Sequence, residues 1–537
     1  MTADSTRRAG GAGTVVRRII LFTILYALVV VAAIGLSGLI ERAIGTDRTI
    51  AGDDAGLARS LAFTLIGVPL AAGLWWWQRR RLADPAERAS LVWALYVTAM
   101  SLTSLIVATV SLASAAGAGI DGEWRPGELS AAIVWSGIWL WHRQMRRSPA
   151  TAPARLVALP VELAAFYGLV IGAVGAVDAL ASLISEALSD VTVLLMASQH
   201  WAVPVLQALV WFAIGALVWW WHWFRERARD APGKFAAVLI VIVVGLAAAT
   251  TLLSVGTLLY VVLRLLFDSA PVAEVLAPLD TSCAAALVGA IVWVYHAEVI
   301  ARRPETTRSA GRLVVSGVAL IGAASGFGVV VNALLATLGP TLVDENPRAL
   351  LLGGISALVV GGPAWWLAWR PDRAATDAAD PARRVYLVAV FGASAIVALV
   401  TLLIIGYRVF EFALGVAGGG GLLEHIRAPL GLLSATAIVF GYHFTIWRHD
   451  RARAPRTARR EIGRVILVTA GDAAPQAAAI RAATGASVTV WSAADAEALL
   501  AERDIPALLE SLHALSAARV LVVAEPGGGA RVTPLAD

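Results

Sequence analysis

Four of the eight histidines fall in one register. Each follows or lies within an aromatic cluster at the end of an apolar segment: Trp139-Leu140-Trp141-His142, Trp219-Trp220-Trp221-His222, Trp293-Val294-Tyr295-His296 and Tyr442-His443-Phe444. Imidazoles gathered in this way could ligate haem or a metal ion, or relay protons. The competing reading is an interfacial belt, in which each ring buries an apolar body and turns a polar edge to the lipid headgroups. The sequence favours the belt, because two further copies of the register carry Gln78 and Ala368 instead. No carboxylate accompanies the histidines at a ligand-like spacing, so no metal and no cofactor are expected.

Three more polar residues lie within apolar runs. Glu162 stands about two turns into its run, after Pro160. A carboxylate at the bilayer centre costs roughly 2.5–3.5 kcal/mol on insertion scales, which makes Glu162 a candidate substrate-binding residue. Its depth is shallow enough to reach Arg155 or the headgroups. Gln207, close after Pro204, and Asn332 are the other two candidates; such amides more often pair helices than bind substrate. Arg264 with Asp268 and Arg408 with Glu411 have the spacing of helical surface pairs. The single cysteine, Cys283, excludes an internal disulfide and a CxxC metal site. With no nucleophile elbow and no other catalytic constellation, a non-enzymatic protein is expected.

The elements that carry these residues are set by hydropathy. Of the 537 residues 58% are hydrophobic and 15% charged, with a mean hydropathy of +0.74, a balance no water-soluble fold could bury. Apolar segments near 19–40, 57–77, 89–112, 128–142, 154–177, 201–223, 235–263, 281–297, 310–338, 349–369, 385–407 and 428–447 are each candidates to cross about 30 Å of hydrocarbon. The fourth and eighth are the shortest. The segment at 19–40 is too long for a signal-peptide core and lacks a cleavage site, so it reads as a retained span.

Charge tests this count. Segments 1–18, 78–88, 143–155, 224–234, 301–312, 370–384 and 448–464 hold 31 of the 43 Lys and Arg residues, whereas the connections between them hold eight. Basic residues are retained on the cytoplasmic side, so twelve spans with both termini inside are expected. A pI of 9.7 does not here imply nucleic acid, because the arginines are confined to short loops. The expected partner is the lipid bilayer of a cell membrane. Each even-numbered span ends in an aromatic cluster and a basic loop, which predicts six repeated helical hairpins.

The endings Gly67-Val68-Pro69 through Trp77-Gln78-Arg79 and Gly361-Gly362-Pro363 through Trp369-Arg370 resemble those of an uncharacterised bacterial membrane family, domain of unknown function 5671. The likeness extends over residues 15–450. It implies a repeated multi-span domain and no activity. Small-residue spacings such as Gly168/Gly172 and Gly322/Gly326 predict close helix packing. Gly361-Gly362-Pro363 and the run Gly418 to Gly421 raise the question of broken helices.

The expected organisation is a tail at 1–18, an all-α membrane domain at 19–447, a basic linker at 448–463 and a small cytoplasmic α/β domain at 464–537. In that domain Val465 to Val468, Ser487 to Trp491 and Arg519 to Ala524 read as strands of a small parallel sheet. Thr469-Ala470-Gly471-Asp472 stands where open α/β sheets bind ligands, without a nucleotide-binding fingerprint. The leading functional expectation is a membrane scaffold or sensor whose domain at 464–537 docks a cytoplasmic partner or self-associates. A secondary transporter or channel is the alternative, and a haem carrier or membrane enzyme using the histidines is third.

Overall fold

The computed structural model describes residues 2–45, 54–192, 201–338, 346–370, 381–416, 421–453, 462–515 and 517–535. The run Gly418 to Gly420, most of the basic segment 370–384 and the linker from 454 to 461 lie outside the described residues. The chain forms two compact units, 1–448 and 449–537.

The first unit is helical throughout. Its long helices are α1 (Thr2–Ile44), α2 (Asp54–Arg81), α4 (Leu91–Ile120), α5 (Pro126–Arg147), α6 (Leu159–Thr192), α7 (Ala202–Trp220), α8 (Lys234–Phe267), α10 (Leu279–Ala301), α11 (Glu305–Ala336), α12 (Pro347–Trp369), α13 (Pro381–Ala413) and α14 (Leu422–Arg453). Two short helices, α3 (Pro85–Arg88) and α9 (Val272–Leu276), lie in connections. Among the described residues eleven helices are long and apolar enough to cross a membrane. The exception is α5, where the fourth candidate lies: it carries Glu128 in its first turn and ends in Arg146 and Arg147. The chain is thus a polytopic membrane protein whose first unit is all-α among the described residues.

Consecutive long helices pack in pairs, α1 with α2, α4 with α5, α6 with α7, α8 with α10 and α11 with α12. The last two meet through rings, Phe391 of α13 lying 5.8 Å from Phe444 and 5.3 Å from Trp447 of α14. Glycine allows the closest approaches. A Cβ added at Gly168 would stand 2.5 Å from the Trp219 amide nitrogen, and one at Gly326 the same distance from that of Leu358. Backbones in such contact gain dispersion and remove lipid from the seam. At Gly361-Gly362-Pro363 the helix is unbroken: α12 runs through Pro363, and Gly361 packs against Ala323 of α11.

Polar bonds between connections segregate by end. At one end Arg18 pairs with Glu87 at 2.9 Å, Arg143 with Glu226 at 2.7 Å, and Arg303 donates to the Arg229 carbonyl at 2.6 Å. At the other, Gln207 donates to Asp121 at 2.8 Å and Arg348 to the Phe267 carbonyl at 3.1 Å. The first group joins the Arg-rich segments to one another. It is called the basic end below.

In the second unit β1 (Arg464–Thr469), α15 (Ala474–Thr484), β2 (Ser487–Ser492), α16 (Ile505–His513), β3 (Arg519–Ala524) and β4 (Ala530–Leu535) form a four-stranded sheet in the order β2-β1-β3-β4. β1 is parallel to β2 and β3, whereas β4 runs antiparallel to β3. The sheet is therefore mixed, not wholly parallel. The glycine run Gly527 to Gly529, all at positive φ, turns the chain straight back along β3 to make the fourth strand. Val465, Leu467, Val520 and Val522 alternate inward onto Ile480, Leu508 and Leu512, which gives this unit its own core.

Candidate functional site

The substrate-candidate residues do not converge. Gln207 is held by Asp121 at the end opposite the basic one, and Arg427 reaches Asn332 at 3.5 Å. Glu162 lies at the basic end. The helix that bears it begins only at Leu159, so Glu162 is in the first turn, not two turns inside. Pro160, which has no N–H to leave unpaired, sits naturally in that turn. Arg155 is exposed, and the cation that acts on Glu162 is Arg303 instead.

Glu162 is 5% exposed and lines a cavity of about 30 Å³ among α6, α7, α8 and α10. His296, Arg303, Trp219 and Trp223 share the cavity wall. The Arg303 guanidinium is committed to the carbonyls of Ala231 (2.9 Å) and Arg229 (2.6 Å), which holds its charge at this place. Unusual backbone lies near the cavity in sequence, and of it the π turn supplies Trp223 to the wall. α7 passes into a π-helical turn, Trp221–Arg225, and Leu156 and Arg227 adopt left-handed φ values of 52° and 61°. Conformations of this kind persist where surrounding packing over-determines them, and they gather at functional sites.

All four histidines of the register are buried, from 0% to 2% exposed. The belt reading is corrected on this point: no polar edge turns to the headgroups, because each ring is enclosed by aromatic neighbours of the protein. His296 has Trp223 at 5.5 Å and Tyr295 at 5.0 Å, and His443 has Trp369 at 5.7 Å and Tyr386 at 6.0 Å. In each, Nδ1 donates to the carbonyl four residues earlier: Ile138, Val218, Val292 and Val439, at 2.8–2.9 Å. A carbonyl only accepts, so Nδ1 carries the proton and Nε2 bears the lone pair. Within hydrogen-bond reach of His142 Nε2, at 3.3 Å, is the Tyr96 hydroxyl. Among the described residues no three His, Cys, Asp or Glu side chains stand together as metal ligands.

Glu226, which charge counting treats only as part of a basic loop, is the centre of a buried cage. Arg143, Arg146 and Arg147 of α5 approach it at 2.7, 3.1 and 3.3 Å, and its side chain is 5% exposed. Burial pushes its carboxyl up, but Arg146 and Arg143 prevail and hold it at about 2. The sequence signal is an acid set among arginines, Arg225-Glu226-Arg227, opposite the Arg143-x-x-Arg146-Arg147 of the preceding loop.

In the second unit the ligand position after β1 is occupied by the chain itself. The Thr469 hydroxyl donates to the Ala498 carbonyl and accepts from the Leu500 N–H, both at 3.1 Å, while Asp472 caps Ala474. The segment 498–500 thus covers the strand end where a nucleotide would sit.

A family model described as a domain of unknown function (DUF5671) matches residues 14–136, 159–277 and 312–442, well over half of the chain. The chain belongs to the DUF5671 family. No curated protein and no solved structure matches it. The three DUF5671 segments begin about 150 residues apart, roughly twice the spacing of the aromatic clusters. This longer period explains the irregular register. His142, His296 and His443 stand at the ends of second pairs, just beyond the matched segments, whereas Gln78, His222 and Ala368 stand at the ends of first pairs, within them. The copies also share a bond: Trp223 donates to Tyr295 at 2.8 Å, and Trp369 to Tyr442 at 3.0 Å.

Proposed function

We propose that this protein is a non-enzymatic membrane scaffold or sensor of the bacterial plasma membrane, with twelve spans in six hairpins and both termini in the cytoplasm. Its α/β unit docks a cytoplasmic protein or a second copy. The observation that supports this reading is the separation of the polar residues of the spans. Glu162, Gln207 and Asn332 are each tied to a different neighbour at different places, which is not how a solute-coordinating centre is built. The sheet edge supports the docking half. β2 carries no charge, and its Val490 and Trp491 are 40% and 56% exposed, whereas the other edge strand, β4, is guarded by Arg531 and Pro534.

The test compares the full chain, the chain ended after Arg453 and Val490→Lys, each in lipid nanodiscs. A defined partner or self-association carried by the full chain, lost in both variants, supports docking; a full chain that binds neither sinks it. One observation favours the alternative of a secondary transporter or channel, namely a carboxylate beside a cavity within a span. Solute uptake into sealed vesicles that Glu162→Gln abolishes would establish that reading in place of the first.

A further inference from the structure

The middle copy of the repeat differs from its neighbours at one place. In the first copy Tyr96 of α4 fills the space beside the histidine of the partner helix, its ring 5.8 Å from that of His142. In the third copy Tyr386 of α13 stands 6.0 Å from His443 and bonds Ser316 of α11 at 3.0 Å. In the middle copy the partner helix of His296 is α8, which contributes the aliphatic Leu239 and Ile240 to the wall. What remains there is the 30 Å³ cavity with Glu162 on its far side.

Hydrogen-bond accounting says what the cavity holds. His296 has committed Nδ1 to Val292, so its lone-pair nitrogen is Nε2. Trp219, on the same wall, has a buried indole N–H with no hydrogen-bond partner. A water molecule needs about 15 Å³ and two to four polar partners. The cavity has room for one or two, and three of its wall residues carry polar groups, Glu162, His296 and Trp219, of which the Trp219 N–H is buried without a partner. Water would occupy the place that a tyrosine hydroxyl takes beside His142.

We propose that this cavity is a water-bridged proton-binding site in which one proton is shared between Glu162 and His296. The proton enters from the aqueous phase at the basic end. It is taken up on the Glu162 carboxylate as the neutral carboxylic acid, held through water to His296, and no other bond forms or breaks. The charged and titratable groups on the cavity wall are Glu162 from α6, and His296 and Arg303 from α10 and the turn after it. α8 contributes only apolar side chains, and the end of α7 and its π turn contribute Trp219 and Trp223. Arg303 lets the carboxylate stand ionised when the proton leaves. The site involves no part of the C-terminal unit, so it stands or falls separately from the docking reading.

The test is an infrared pH titration of the full-length protein in liposomes, following the carbonyl stretch of a protonated carboxyl. The wild-type spectrum minus that of Glu162→Gln, in which the other carboxyls of the 38 Asp and Glu residues cancel, is expected to show one band that rises as pH falls. In His296→Gln its midpoint should fall by about one to two pH units, because one of two bases sharing the proton is gone. In Trp219→Phe it should rise, because a donor to the ionised site is lost. His142→Gln, in the copy where tyrosine fills the space, should leave it unchanged. Trp219→Phe preserves both titrating groups and keeps the test decisive if Glu162→Gln does not fold. The proposal is overturned if the difference between wild type and Glu162→Gln shows no such band, or if its midpoint is the same in His296→Gln and Trp219→Phe as in the wild type.

Discussion

At the scale of single residues, charge is concentrated in the Glu226 cage. Three guanidiniums around a carboxylate that is 5% exposed fasten the end of α5 to the exit from α7. Removing one member of such a buried group leaves the others uncompensated, at a cost of about 3 kcal/mol or more. Glu226→Gln should therefore lower the midpoint of thermal unfolding in detergent or nanodiscs; an unchanged midpoint would show that the cage contributes nothing. The sign with pH follows from the depressed carboxyl. Its stabilisation is fully present above the ordinary value of 4.5 and is lost as pH falls towards 2. Acid should consequently destabilise the wild type more steeply than Glu226→Gln over that interval. The histidines make a different point at this scale. Their type and register were legible, but burial was not, since Trp and His at a helix end read alike whether they face headgroups or one another.

At the scale of elements, glycine placement separates contact surfaces from lipid surfaces. Gly168 and Gly326 face backbone of the neighbouring helix, and a larger side chain has nowhere to go. Gly168→Leu should prevent α6 and α7 from pairing, seen as loss of the monodisperse species on size exclusion. Gly392 of α13 has no neighbouring atom within 4 Å of an added Cβ, so Gly392→Ala should stabilise the helix by about 0.5–1 kcal/mol. A destabilised Gly392→Ala would mean that α13 meets a packing partner at Gly392. The Gly168/Gly172 spacing announced the first contact in the sequence. The length of α6 and the continuity of α12 through Pro363 did not follow from pattern, because proline inside a buried helix is tolerated once neighbours satisfy the freed carbonyl.

At the scale of the whole molecule, the decisive feature is the segregation of Arg-rich connections to one end. The uncertain crossing is α5, whose flanks are exposed at Glu123 and Ala150. In a Cys283→Ala background, Glu123→Cys should react with an impermeant thiol reagent in intact cells, and Ala150→Cys only after permeabilisation. Labelling of both from outside would remove α5 from the spans and reverse everything after it. The count of crossings also sets the side on which the α/β unit lies, and hence what kind of partner its bare β2 edge can meet.

Hydropathy by itself determined that this is a polytopic helical membrane protein and where its long apolar helices fall, because the bilayer imposes length on local sequence. The strands β1 to β3 were legible for the same local reason, whereas β4 depended on a glycine turn whose partner strand is named only by pairing. What tertiary structure alone decided is which polar groups meet. Glu162 lies 134 residues from His296 and 141 from Arg303 in the chain, and Glu226 about 80 from its arginines. No local period encodes such encounters; they arise when helix pairs stack and a missing tyrosine leaves room for water.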